Sequence, residues 1–146
     1  RLVRDGMFGV VNRSGGTAGR SRVALPELTM AGKTGTSQVR SISAAERAQG
    51  VTSNADLPWE RRDHALFVGY APYEDPKYAV SIVVEHGGGG SVAAAPIARD
   101  LMLYALYGGM PQLEAYPSNQ QREAGERLNA LPLRQRIEGA PVKSRA

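Results

Sequence analysis

Two runs of residues leave this chain little freedom in how it folds. "HALFVGYAP" (64–72) and "KYAVSIVVEH" (77–86) are rich in aromatic and β-branched side chains, which suit a half-buried pleated surface. Only "YEDP" separates them, so the chain must double back and the two runs read as an antiparallel hairpin. "GGGG" (87–90) then forces a turn. Beyond it Pro96, Ile97, Leu101, Met102, Tyr104 and Ala105 recur at helical spacing as far as Gly108 and Gly109. Proline suits a first helical turn and glycine a C-terminal cap, so a helix is expected over 94–107.

The flanks are less regular. Leu2, Val3, Met7, Val10 and Val11 fall near helical spacing, weakened by Gly6 and Gly9, and read as the end of a helix within 1–12. "NRSGGTAGRS" (12–21) is turn chemistry, and "ELTMAGKTGTSQVR" reads as a strand beginning near Thr29. Residues 41–63 show no clear period and contain Gly50, Asn54 and Pro58. A connection of that length is uncommon, and is expected to be either a lid with Trp59 as a contact or a plain mobile link. After Pro111, prolines at 117, 132 and 141 and dense charge of both signs suggest a tail with one short helix over 118–131 and no core of its own. The expected organisation is therefore a unit over 1–111 and a tail over 112–146. The fold class is α+β: three antiparallel strands flanked by helices.

Composition mainly excludes. The chain has no cysteine, which removes disulfides, thiolate chemistry and cysteine metal sites. His64 and His86 are the only histidines and lie on separate segments, so no metal is expected. A net charge of +4 without a concentrated basic run argues against nucleic acid. No apolar run approaches the roughly 20 residues that span a bilayer, so any membrane attachment would come through an anchor upstream. The first residue is Arg and leads straight into a half-apolar segment, which suggests that more chain precedes it.

The chemistry concentrates in "AGKTGTSQVR" (31–40), which holds one of three lysines. A phosphate-binding P-loop would need glycine at 27, where Glu stands, and a helix after the Lys-Thr, where a strand pattern follows. A lysine that keeps an edge strand soluble is the plain alternative, but it leaves Gly32 and Gly35 unexplained. The third reading is an anion-binding edge. Strand period puts Thr34, Thr36 and Gln38 on one face, Lys33 adds charge beside them, and Gly35 removes a side chain from the path of a peptide.

"KTGT" (33–36) resembles the third motif of the penicillin-binding proteins and serine β-lactamases, whose set is S-x-x-K, S-x-N or S-D-N, and K-T-G. "FVGYAPYEDPKYAVSIVVEHGGGG" followed by "AAAPIARDLM" is similar to the hairpin and C-terminal helix of the class B transpeptidases. The "EHGGGG" turn places it closest to the elongation-type penicillin-binding protein 2 group. The resemblance covers roughly residues 1–110. It implies a peptidoglycan D,D-transpeptidase that acts on D-Ala-D-Ala stem peptides, binds β-lactams and needs no cofactor. It also implies a periplasmic position on the inner membrane, with a RodA-like glycosyltransferase and the MreC scaffold as partners. Lys33 would orient the second-motif serine and the substrate carboxylate, the Thr34 and Thr36 hydroxyls would bind that carboxylate beside Gly35, and the Thr36 N–H would supply half of an oxyanion hole.

The first two motifs are missing. Serine three residues before a lysine would have to stand at 30, 74 or 140, which are Met, Glu and Ala, and S-x-N does not occur. The nucleophile is therefore expected upstream, and the isolated chain is expected to be silent. A β-lactamase or penicillin sensor of the same fold, or a non-catalytic binding module, would carry the same residues. His64 and His86 read as structural, Asp63 and Glu85 as carboxylates without a catalytic partner, and Tyr70, Tyr78 and Tyr104 as sheet and helix core.

Overall fold

The computed structural model describes residues 1–130. In chain order the helices and strands are α1 (Leu2–Asn12), β1 (Ala31–Ser37), α2 (Ala44–Gln49), β2 (His64–Ala71), β3 (Tyr78–Val84), α3 (Ala94–Tyr107) and α4 (Gln121–Ala130). The three strands form one antiparallel sheet in the order β1-β2-β3, the expected α+β arrangement. Its register pairs Lys33 with Val68 and Gly35 with Leu66 across β1 and β2, and Phe67 with Ile82 across β2 and β3. Helix α1 packs on β1, while α3 crosses β2 and β3.

Why α3 can lie so close to the sheet is written in its composition. Ala94, Ala95 and Ala98 are fully buried, as are Ala65 and Ala71 of β2, so small side chains meet across the interface and Phe67, Met102 and Leu103 fill the space between. Gly108 ends α3 in the left-handed region (φ 66°); its N–H bonds to Ala105 O, and the N–H of Gly109 reaches back to Tyr104 O at 3.1 Å. At the other side of the core, Asn12 fastens α1 to the strand entry, its amide donating to Phe8 O (3.0 Å) and Met30 O (2.9 Å).

Several details depart from the sequence reading. Strand β1 begins at Ala31 rather than near Thr29, because the backbone of 26–28 turns in a single 3₁₀ step and the Thr29 hydroxyl bonds back to Pro26 O at 2.7 Å. Residues 41–63 are not structureless: they hold α2 and two 3₁₀ turns, Asn54–Asp56 and Trp59–Arg61. Tyr78 and Tyr104 are exposed rather than core residues. The large buried aromatics are Phe67 and Tyr116.

Residues 113–130 share the main core. Ala115, Tyr116, Ala124 and Leu128 are buried in it, and Ala24 N–H donates to Ala115 O at 2.8 Å. The Arg99 guanidinium lies 4.7 Å from the centre of the Tyr116 ring, a cation–π contact made inside the protein. The expected short helix is present as α4. The rest of the tail, 131–146, lies outside the described residues.

Candidate functional site

As the outer strand of the sheet, β1 pairs on one side only among the described residues. Lys33 and Thr36 are exposed on it and Thr34 is half-buried. Lys33 makes no ion pair among the described residues; its ammonium donates to the carbonyl of Thr34 at 2.7 Å. The Thr34 hydroxyl sits 3.0 Å from that of Thr17, in the turn after α1, which fixes the Thr34 side chain from behind. Because Thr34 and Thr36 alternate with Lys33 and Gly35, the hydroxyls share the face of Phe67 and Ala65, while Lys33 and Gly35 share that of Val68 and Leu66. The strand thus brings an ammonium, two hydroxyls and an unpaired edge within four residues. No residue of β1 lines either of the clefts beside α3, so these groups form an open wall rather than a cavity.

The two glycines of the motif have different neighbours. A Cβ at Gly32 would overlap the Phe67 ring, so this glycine answers to the core. A Cβ at Gly35 would press on the Leu66 side chain at 3.2 Å, and the backbone of Gly35 lies so close to Gly90 that a Cβ on Gly90 would strike both Gly35 O and Leu66 O. The glycine turn after β3 is thus pressed onto the strand that carries the motif.

The segment after β1 is tied to the site's far end. Asp63 is the hub: its carboxylate accepts from Val39 N–H (3.2 Å) and from the Asn54 amide (3.2 Å), and its carbonyl accepts from Gly88 N–H (2.8 Å). Arg62 donates to Leu57 O and Ala55 O, so its charge braces the loop instead of facing solvent alone. His86, with φ 54°, donates its N–H to His64 Nδ1 at 2.9 Å, and its own Nδ1 lies 3.0 Å from Arg62 O. Trp59 covers His86 with ring centres 4.4 Å apart and remains 57% exposed. The histidines are structural links, as the sequence suggests.

Sequence reading missed one capping signal here. "SAAE" (43–46) carries the capping-box pattern, and its first half is formed: the Ser43 hydroxyl accepts from Glu46 N–H at 3.1 Å and starts α2. Arg40 then forks onto the Glu46 carboxylate at 2.7 and 2.6 Å. That hydrogen-bonded pair, helped by Thr52 N–H, holds the Glu46 carboxyl at about 2, well below its ordinary 4.5. A depressed carboxyl stabilises its folded surroundings fully above the ordinary value and loses that contribution as pH falls through the lowered one. The Glu46 carboxyl carbon is therefore expected to titrate by NMR with a midpoint near 2, with the 40–52 loop loosening over that descent. A midpoint near 4.5 would mean that the Arg40 fork is not formed in solution.

The family described as the penicillin-binding protein transpeptidase domain matches residues 1–103. The chain belongs to this family. Curated relatives named peptidoglycan D,D-transpeptidase MrdA include that of Haemophilus influenzae, 42% identical over 125 residues (84% of this chain, 18% of the relative). The Escherichia coli K12 protein is 39% identical over 108 residues (73% of this chain, 16% of the relative). Among solved structures, penicillin-binding protein 2 of Helicobacter pylori in complex with MreC is 36% identical with a TM-score of 0.55, covering 73% of this chain and 16% of that one. The chain thus spans less than a fifth of the length of the curated relatives cited here. Among the described residues, no helix of this transpeptidase-family chain is long and apolar enough to cross a membrane.

Proposed function

We propose that this chain supplies one wall of the acyl-transfer site of an elongation-type peptidoglycan D,D-transpeptidase. The observation that carries the reading is Lys33-Thr34-Gly35-Thr36 on the unpaired edge of the sheet, within a chain of the transpeptidase family. A stem peptide laid along this edge would take main-chain hydrogen bonds, as added strands do, and present its terminal carboxylate to Lys33 and the two hydroxyls.

The reaction in this reading is acyl transfer in two steps. A serine from sequence outside this chain attacks the carbonyl carbon of the penultimate D-alanine to form a C–O bond and a tetrahedral intermediate, which collapses to the ester as the C–N bond to the terminal D-alanine breaks. The serine proton goes to the departing amine. An amine on a neighbouring strand then attacks the ester, forms the cross-linking amide and returns a proton to the serine oxygen. Thr36 N–H faces the charge on the carbonyl oxygen in both tetrahedral intermediates, and one such donor contributes about 3 kcal/mol. A β-lactam carbonyl would meet the same groups. The whole protein in this reading sits at the periplasmic face of the inner membrane and works with a RodA-like glycosyltransferase and MreC. The MreC assignment is supported by the Helicobacter pylori complex.

Fluorescent penicillin tests the reading. The intact protein is expected to take up one covalent label per chain and the isolated 146-residue chain none. Labelling of the isolated chain would put the nucleophile among these residues. An unlabelled intact protein would remove the transpeptidase assignment.

A further inference from the structure

Away from β1, three arginines converge on one cleft of about 490 Å³ beside the start of α3: Arg20, Arg99 and Arg127. Arg99 is unusual among them in being only 3% exposed. Its Nη1 donates to Gln120 Oε1 (2.8 Å) and Arg20 O (3.2 Å), and its Nε makes a long contact to Asp100 Oδ1 (3.3 Å). The remaining nitrogen, Nη2, has no hydrogen-bond partner among the described residues. Arg127 is paired with Asp100 Oδ2 through both Nε (3.0 Å) and Nη2 (2.9 Å). Arg20 is exposed and has no ion pair among the described residues.

The charge ledger leaves this cleft short of anions. One carboxylate, Asp100, is shared by two guanidiniums, and the other, Glu123, is 78% exposed and 4.0 Å from Arg127. Three positive charges against two negative ones are joined by the N-terminal end of α3, whose first turn follows Ser91 and whose cap residue, Ala93, contributes no side chain to it. Excess guanidinium charge beside a side chain as buried as Arg99 is costly unless an anion completes it. We infer that this cleft is an oxyanion-binding site, remote from Lys33, that takes a phosphate group through Arg99, Arg127 and Arg20. The phosphate could be free in solution or carried on a lipid headgroup; the chemistry at the arginines is the same.

The probe is inorganic phosphate, titrated into the protein at constant ionic strength with chloride as the reference anion and binding followed through the arginine Nε resonances. Saturable binding is expected, weakened about tenfold or more in R20A and in R127A, because hydrogen bonds to charged groups are among the stronger ones. Penicillin acylation of R20A should be unchanged, which separates this site from β1. Sedimentation with phosphatidylglycerol vesicles but not phosphatidylcholine vesicles, lost in R20A, would identify a headgroup as the source; phosphate binding without vesicle binding would identify the free anion. Phosphate binding no tighter than chloride, or equal affinity in wild type, R20A and R127A, would overturn the site.

Discussion

Lys33→Ala in the intact protein is expected to slow acylation by penicillin about 10³-fold, within the usual range for loss of a positioned proton-transfer or charge partner. The size of the effect follows from how little else Lys33 does. It is exposed, has no ion pair among the described residues, and spends its one hydrogen bond on the carbonyl of its own neighbour, Thr34. Removing it takes nothing from the core, so the melting temperature should stay within a degree or two of wild type while the rate falls. Lys33→Arg should rescue little, because a planar guanidinium cannot take the position of a compact ammonium on the same strand. The informative readout is the second-order acylation rate beside the thermal midpoint. A rate within twofold of wild type would show that the ammonium takes no part in the chemistry, whatever the fold.

The hairpin and α3 were legible because their patterns are local. β-Branched alternation and helical spacing declare themselves in ten residues, and the stretch around "KTGT" reads as the strand it forms. What escaped depends on partners far along the chain. Nothing near Tyr116 marks it as core, since its burial is made by Arg99 of α3 and by the backbone link from Ala24, both remote in sequence. Prolines and charges around it describe a tail, and one aromatic residue overrides them. The 41–63 segment misled for another reason. Its order comes from polar side-chain bonds, to backbone and to other side chains, centred on Asp63 and Glu46, which leave no hydrophobic period to read. The "SAAE" capping box was its one local signal. For the site itself, sequence placed Lys33, Thr34, Gly35 and Thr36 together on a strand, but it could not tell that Gly32 yields to Phe67 or that Gly90 is pressed onto the backbone of Gly35.

Gly90→Ala should be the most damaging single methyl in this part of the protein. A Cβ at Gly90 would collide with Leu66 O and Gly35 O, and these are backbone atoms of two paired strands with no rotamer to escape into. Relief requires β1 to shift against β2, an overpacking cost of about 1–3 kcal/mol. The larger consequence is chemical. Gly35 C=O and Thr36 N–H belong to one planar peptide unit, so displacing the oxygen swings the N–H that is proposed to face the oxyanion. Misaiming that donor should lower the acylation rate about 10²- to 10³-fold. Gly89→Ala supplies the matched control, because the nearest atom to its added methyl is the Ser91 hydroxyl oxygen at 3.9 Å, an ordinary contact. The pair separates turn flexibility from steric pressure on the strand. Equal losses in both variants would point to flexibility, and wild-type acylation in Gly90→Ala would mean that the Gly35–Thr36 peptide does not aim the oxyanion donor. A rate collapse in Gly90→Ala alone, with Thr34 and Thr36 untouched, would tie the glycine turn to the chemistry of the KTGT strand.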